Sequence, residues 1–432
     1  MKIRGIAAMG VLALTAISLT ACGSNSDPGA DATDTGPAEP VALTFQSLSD
    51  QPGAIAATKT IVDTWNTENP DIQVEVVPAG WDGVYDKLVA QFNGGVAPDI
   101  IHYEAASIIP FAVDGYIADL TDLVDEDLTA DISDGIWESV TVDEQIIAVP
   151  TELQSYMVFA NKALLEAAGV TIPTGDTMAW DEFQDIAKAT STEGKFGVAW
   201  GLKSPTATFM SLGLGFGGTY FDGTGTEATI NIGEGEMAVP TRISDMAYTD
   251  KSIDPVSLTQ SGSEVLASFY AGNVAMTVQG SFQAANIAKD APAGFDWVVL
   301  PPLEGTEGAE QSANPQTLSV NIDSEHVAEA AKFINYFAST DNLAALNTAD
   351  ALIPASTSAQ EKIATDTAGA DGWDVTLKSG AYLTKAPFLS VDTYTQWKDT
   401  VATPAYQKFL AQQTTAEQLA QELTDGWDQV NR

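Results

Sequence analysis

Cysteine is almost missing from this chain. The one cysteine among 432 residues is Cys22, so no disulfide can form within the molecule and the fold has to stand on packing alone. Histidine is nearly as scarce, with His102 and His326 only. No HExxH pair and no Cys/His cluster occurs, which argues against a zinc site, and no Asp-x-Asp-x-Asp-Gly loop suggests calcium. No metal or cofactor is expected. Basic residues are few: 18 Lys and Arg stand against 59 Asp and Glu, a formal charge of −41. A surface this negative repels nucleic acid and anionic ligands. The acids are scattered, as on a solvated surface. Beyond the first segment no run of eighteen apolar residues follows, so no second membrane element is expected. A nucleophile elbow and a P-loop are also missing.

The amino-terminal segment reads as an address. Lys2 and Arg4 form a short positive stretch, and Ile6 to Leu19 is apolar but too short for a stable span. It ends in Leu19-Thr20-Ala21-Cys22-Gly23, which resembles the bacterial lipobox. The resemblance implies a signal peptide over 1–21 and an acylated Cys22 that anchors the protein on the outer face of the cell membrane. Residues 22–40 hold no large apolar side chain and read as a flexible tether.

The body from Val41 onward is too long for one simple core and suggests two lobes. A 45% hydrophobic content and nine Trp fit a packed globule rather than a disordered chain. Val41 to Ser47 alternates as a strand, Ile55 to Asn66 has helical spacing, and Ile72 to Val77 is a second strand. Trp81 to Asn93 reads as a helix and Ala97 to Ile101 enters a third strand. This β-α-β-α-β order predicts a parallel sheet wrapped by helices, with ligands at the carboxyl ends of strands where the strand order switches. Later strands are expected at 145–150, 194–201, 274–278, 295–300 and 317–322. Helices are expected at 161–168, 177–190, 261–271, 326–338 and 415–430.

Several stretches, taken in order, resemble the extracellular solute-binding protein family 1, the sugar-binding components of ABC importers. They include Thr44 to Ser49, Phe92 to Ile100, Gly115 to Thr121, Ile146 to Pro150, Ala160-Asn161-Lys162, Trp180 to Phe183, Phe269 to Met276, Gln279 to Phe282 and Leu300-Pro301-Pro302. Ala160 stands where the family usually has an aromatic residue before Asn-Lys, and Phe282 where it often has Trp. The resemblance covers essentially all of the chain after Val41. It implies an α/β, two-lobe periplasmic-binding-protein-like fold with hinge strands and an interlobe ligand cleft. The implied lobes are 41–150 plus 299–352 and 151–298 plus 353–432. The expected partners are a carbohydrate and the transmembrane subunits of an ABC permease, with the protein a monomer that does no catalysis.

A sugar offers apolar C–H faces and a rim of hydroxyls, so its pocket needs aromatic plates and fixed polar groups. Tyr103 and Glu104 follow the third strand, at the end where ligands gather, with His102 beside them. Gln154 and Ser155 follow the hinge at Pro150. Ser47 and Ser49 follow the first strand. Gly280, Ser281 and Phe282 would bring backbone, a donor and a ring to the ligand. Trp200, Trp397 and Phe388 are candidate plates, and Trp373 a weaker one. Trp65, Trp180 and Trp427 read as core, Asp99 as a turn cap, and Trp81 as packing at a helix start. Three other readings stay open on the sequence: a peptide, polyamine or other cation in the same cleft, a secreted glycoside hydrolase, or a lipoprotein that only scaffolds partners. Acids clustered inside the cleft would favour a cation, and aromatic rings a sugar.

Overall fold

The computed structural model describes residues 40–431, which fall in one compact unit, Pro40–Arg432. The signal over 1–21, the lipidation site at Cys22 and the tether up to Glu39 lie outside the described residues. The first half opens as the sequence predicts, with β1 (Val41–Ser47), α1 (Pro52–Glu68), β2 (Ile72–Pro78), α2 (Val84–Asn93) and β3 (Ile100–Glu104). Helix α1 starts three residues before the apolar spacing suggests. Pro52 sits in its first turn, where the missing N–H has no bond to lose and the fixed φ suits a helix. Helix α2 starts late, because Gly83 adopts φ +69, a left-handed conformation that breaks the helix before it. Trp81 therefore lies on a loop and not on the helix.

β1 pairs in parallel with β2 on one side and with β3 on the other. The chain thus crosses one way and then back across β1, and the strand order switches between β1 and β3. The sheet is extended by β4 (Val149–Leu153), and β5 (Tyr156–Asn161) opens a second sheet after only Gln154 and Ser155. That smaller sheet also takes β6 (Phe196–Ala199), β7 (Val274–Gly280) and β8 (Trp297–Leu300), in the order β8-β5-β7-β6. The chain then returns to the larger sheet with β9 (Gln316–Val320) and β10 (Ile353–Pro354), giving the order β10-β4-β9-β3-β1-β2. Strand β9 runs antiparallel to both β3 and β4. The carboxyl ends of β1, β3 and β4 consequently point the same way. Tyr156 at the start of β5 pairs with Gly280 at the end of β7.

Each sheet has its own aromatic core. Beside the larger sheet, Phe45 meets Phe337 edge-on at 5.7 Å, and Trp65 meets Phe333 at 5.5 Å. Beside the smaller one, Trp180, Phe183 and Trp200 pack together, with Trp180 and Trp200 stacked at 6.2 Å. Asn161 caps the following helix by accepting from the Leu164 N–H, 3.2 Å away. Thr177 is not the cap of the helix Trp180–Thr190. Its hydroxyl donates to Glu304 Oε2 at 2.5 Å, which ties the helix approach to the chain that leaves β8.

Asp99 fastens the beginning of β3 to the rest of the larger sheet. Its Oδ2 accepts from the Thr44 N–H and hydroxyl, both at 2.8 Å, and its Oδ1 accepts from the Ser324 hydroxyl at 2.6 Å. Burial opposes ionisation of this carboxyl, but the hydrogen bonds from Ser324 and Thr44 outweigh it and hold the pKa below the usual range. Asp99→Ala is expected to cost about 3 kcal/mol in urea unfolding at neutral pH, since it leaves three donors without their charged acceptor. The folded pKa lies below the unfolded one, so Asp99 stabilises above about pH 4 and its contribution is lost as pH falls through the folded value. The deficit of the variant is therefore expected to shrink in acid.

Candidate functional site

The two sheets face each other across a cavity of about 300 Å³. The larger sheet lines it with the loop after β1 (Leu48 to Gln51), with Trp81, with Glu104 at the end of β3, and with Glu152 and Gln154 at the end of β4. Gln316 at the start of β9 and Asp350, just before β10, complete that wall. The opposite wall carries Tyr156, Phe282, Phe388, Tyr394 and Lys398. A wider depression of about 920 Å³ adjoins it, sharing Trp81, Glu104 and Lys398 and adding Tyr103.

Aromatic rings stand on both walls. Trp81, freed from α2 by the left-handed Gly83, lies edge-on to His102 at 5.8 Å and tilted to Tyr103 at 6.3 Å. Across the cavity Phe388 and Tyr394 stack at 4.3 Å with an interplanar angle of 15°. The Lys398 ammonium lies 6.0 Å from the Tyr394 ring centre.

The polar groups between the rings are held by neighbouring side chains. Glu104 accepts from the Ser107 hydroxyl and from the Asn314 amide, both at 3.0 Å. Asn314 in turn accepts from the Ala106 N–H at 2.9 Å, so its amide is oriented. His102 is buried, and burial lowers its pKa to about 4 against the opposing effect of the Gln316 contact. Its Nδ1 accepts from the Leu48 N–H at 3.1 Å. The proton therefore sits on Nε2, which donates to Gln316 Oε1 at 2.7 Å and fixes that amide at the cavity wall.

Glu152 and Asp350 are the unusual pair. They are 2% and 7% exposed, and among the described residues Glu152 Oε1 and Asp350 Oδ1 have no hydrogen-bond partner. Burial, and next the charge of Asp350, push the Glu152 carboxyl well above the carboxylate range. Burial, and next the charge of Asp50, push Asp350 up to about 7.

Of the residues singled out by sequence, Ser49, Glu104, Gln154, Phe282 and Phe388 line the cavity together, and Tyr103 lines the adjoining depression. The others lie elsewhere. Trp200 is 1% exposed against Trp180 and Phe183. Trp397 is 0% exposed, packs on Phe221 and donates its indole N–H to Leu423 O at 3.1 Å. Both are core residues, as is Trp373. Ser47 is buried and donates to Ser49, which itself lines the cavity. Ser155 and Ser281 are also buried, joined by a bond from the Ser281 N–H to Ser155 O at 2.9 Å. Gly280 makes room for the Phe282 ring and not for a ligand, since an added Cβ would stand 2.6 Å from that ring. Trp81, Tyr156, Tyr394, Glu152 and Asp350 escaped the sequence reading. The Gly83 that follows Trp81 was the signal available for the first of these. Gly213, Gly215 and Gly218 match a dinucleotide-loop spacing, yet they follow a helix and not a strand, which removes the structural context of that loop. Among the described residues no group of acidic, His or Cys side chains is arranged to hold a metal ion, and no helix is long and apolar enough to cross a membrane.

Residues 49–344 match the model of the bacterial extracellular solute-binding protein family. An uncharacterized lipoprotein in the oleD 5′ region of Streptomyces antibioticus is 38% identical over 407 residues, 94% of this chain and 88% of that one. The maltodextrin-binding protein MdxE of Bacillus subtilis is 23% identical over 357 residues, 80% of this chain and 79% of its own. The GacH receptor of Streptomyces glaucescens, solved unliganded and with acarbose, has the same fold. Its TM-score is 0.76 at 21% identity, over 90% of this chain and 98% of that one. The expected α/β, two-lobe fold of periplasmic binding proteins is the fold observed.

The raised pKa of Asp350 makes stability depend on pH. Between about pH 4 and pH 7 the folded state keeps a proton that the unfolded chain has released, so stability falls as pH rises through that window. Asp350→Asn removes this burden. Its melting temperature is expected to exceed that of the parent by roughly 2 °C or more near pH 8, with little difference near pH 4. Equal melting temperatures at both pH values would show that the carboxyl is solvated.

Proposed function

The chain belongs to the bacterial extracellular solute-binding protein family, and from that premise we propose that it captures a mono- or oligosaccharide in the cleft between its sheets and delivers it to an ABC permease. The observation that carries this reading is a cavity with aromatic rings on both walls, Trp81 on one and Phe282, Phe388 and Tyr394 on the other, around oriented polar side chains. Rings match the C–H faces of a sugar, and Glu104, Gln154 and Gln316 match its hydroxyls. The named relatives support the ligand class: one is called a maltodextrin-binding protein, and another was solved with acarbose. The family and these relatives are binding proteins and not enzymes.

The proposed lobes are 41–150 plus 299–352 and 151–298 plus 353–432. The passage from β4 to β5 favours a first crossing at Gln154-Ser155, a few residues after Pro150, and the pairing of Ile353-Pro354 with β4 favours a last crossing after Pro354. The pairing of Trp297–Leu300 with β5, and of Leu303-Glu304 with Met178-Ala179, keeps the chain with the smaller sheet beyond Leu300, and β9 favours a return to the first lobe nearer Gln316. Closure of such lobes on ligand is a hinge motion. The lipobox-like stretch at Cys22, together with a relative described as a lipoprotein, supports an anchor on the outer face of the cell membrane. The permease partner and a monomeric state follow from the same reading.

Thermal unfolding of Pro40–Arg432 with mono- and oligosaccharides, peptides and polyamines tests the ligand class, because a ligand of the folded state raises the midpoint. A saccharide is expected to raise it and to be recovered unaltered. A rise with peptides or polyamines alone would overturn the sugar assignment, and consumption of the saccharide would overturn the binding role. Trp81→Ala and Phe388→Ala are each expected to weaken saccharide binding about tenfold in calorimetric titration, the loss of one stacking surface.

A further inference from the structure

Acids line both ends of the cleft. Around the adjoining depression Asp82, Asp86, Glu104, Asp114, Asp392 and Asp399 stand with Lys398, and Asp50, Glu152 and Asp350 do not border it. Those three acids gather at the other end of the cavity, Asp50 exposed at its edge and the other two buried. Among the described residues no Lys or Arg forms an ion pair with any of them. Two carboxylates are nine-tenths buried in the cavity wall, each with an oxygen that finds no donor among the described residues. A buried acceptor without a donor is costly, and a buried carboxylate more so. Both sit on the strands that cross between the sheets or directly beside them: Glu152 on β4, paired with Pro354 of β10, and Asp350 three residues before β10. A solvated pair on the outer surface would need no partner, but at this position something brought in by the ligand can supply the missing donors.

We infer that this end of the cleft receives the ammonium group of an aminated saccharide, with Glu152 and Asp350 as its acceptors and Asp50 as the outer charge. The inference rests on the saccharide reading above and narrows it to sugars that carry a free amine. An ammonium brings three donors and one positive charge in a compact group, which suits two carboxyls with free oxygens. A hydroxyl brings one donor and no charge. A metal ion is a poorer occupant, since these carboxyls are not grouped as a metal site requires. The rings of Trp81, Phe282 and Phe388 line the rest of the cavity and leave a place for the sugar ring itself.

The test is calorimetric titration of Pro40–Arg432 with glucosamine, galactosamine and the β-1,4 glucosamine disaccharide, each beside its N-acetylated counterpart. Acetylation removes the charge and two donors and leaves the rest of the sugar. At least one amine is expected to bind about tenfold or more tighter than its acetylated form. In the double variant Glu152→Gln/Asp350→Asn the ratio is expected to fall to about one, and a melting temperature no lower than the parent's shows that the variant is folded. Equal or tighter binding of the acetylated forms, or a preference that survives the double substitution, overturns the inference. If neutral saccharides bind with no amine preference, this inference fails and the saccharide reading stands. If no saccharide of either kind binds, both fail.

Discussion

Gln154 and Ser155 are the whole length of chain between a strand of one sheet and a strand of the other. Everything at the cleft depends on that short passage. β4 ends beside the carboxyl ends of β1 and β3, and β5 begins beside the carboxyl end of β7, so the crossing brings the open ends of both sheets to one place. In a parallel sheet those ends are where loops are free to vary without disturbing the ladder. The crossing is braced by buried hydroxyls. Ser155 donates to Ser379, Ser379 donates to Thr376 O at 2.6 Å, and the Ser281 N–H closes on Ser155 O. The bracing joins segments more than a hundred residues apart, so the hinge is fixed by the finished fold and not by local sequence.

The polar side chains of the site are expensive to hold in place and the aromatic cores offset that cost. Phe45, Trp65, Phe333 and Phe337 lock helices to the larger sheet, and Trp180, Phe183 and Trp200 do so for the smaller. Each such ring buries a large apolar area. Against these rigid cores, His102 holds Gln316, and Asn314 holds Glu104. The carboxyls of Glu152 and Asp350 have no such backing, which is why burial raises their pKa while Asp99, with three donors, is lowered.

The parallel core was readable because its signals are local. Alternation in β1 and β2, the helical spacing of α1 and the breaks at Asn69-Pro70 and Gly94-Gly95 each act within a few residues. Glu104 was found by following a strand to its carboxyl end, and Gln154 by the family resemblance at the hinge after Pro150. Trp200 and Trp397 were misjudged because a tryptophan near the end of an element reads the same whether it faces a cleft or a core. Trp200 turned out to lie on Trp180, and Trp397 under Leu423. Trp81 was taken for a helix residue because the apolar spacing runs through it, while one left-handed glycine two positions later sets it free. Glu152 and Asp350 were out of reach, since 59 acids gave no sign of which two, nearly two hundred positions apart, would meet at a buried wall.

The most direct test of the account is a crystal structure of Pro40–Arg432 with a saccharide that raises its melting temperature. The account predicts the sugar ring between the two sheets, against Trp81 on one wall and Phe282 or Phe388 on the other, with its polar groups on Glu104, Gln154 or Gln316. A sugar bound on the outer surface, or held by residues of one sheet alone, would contradict it.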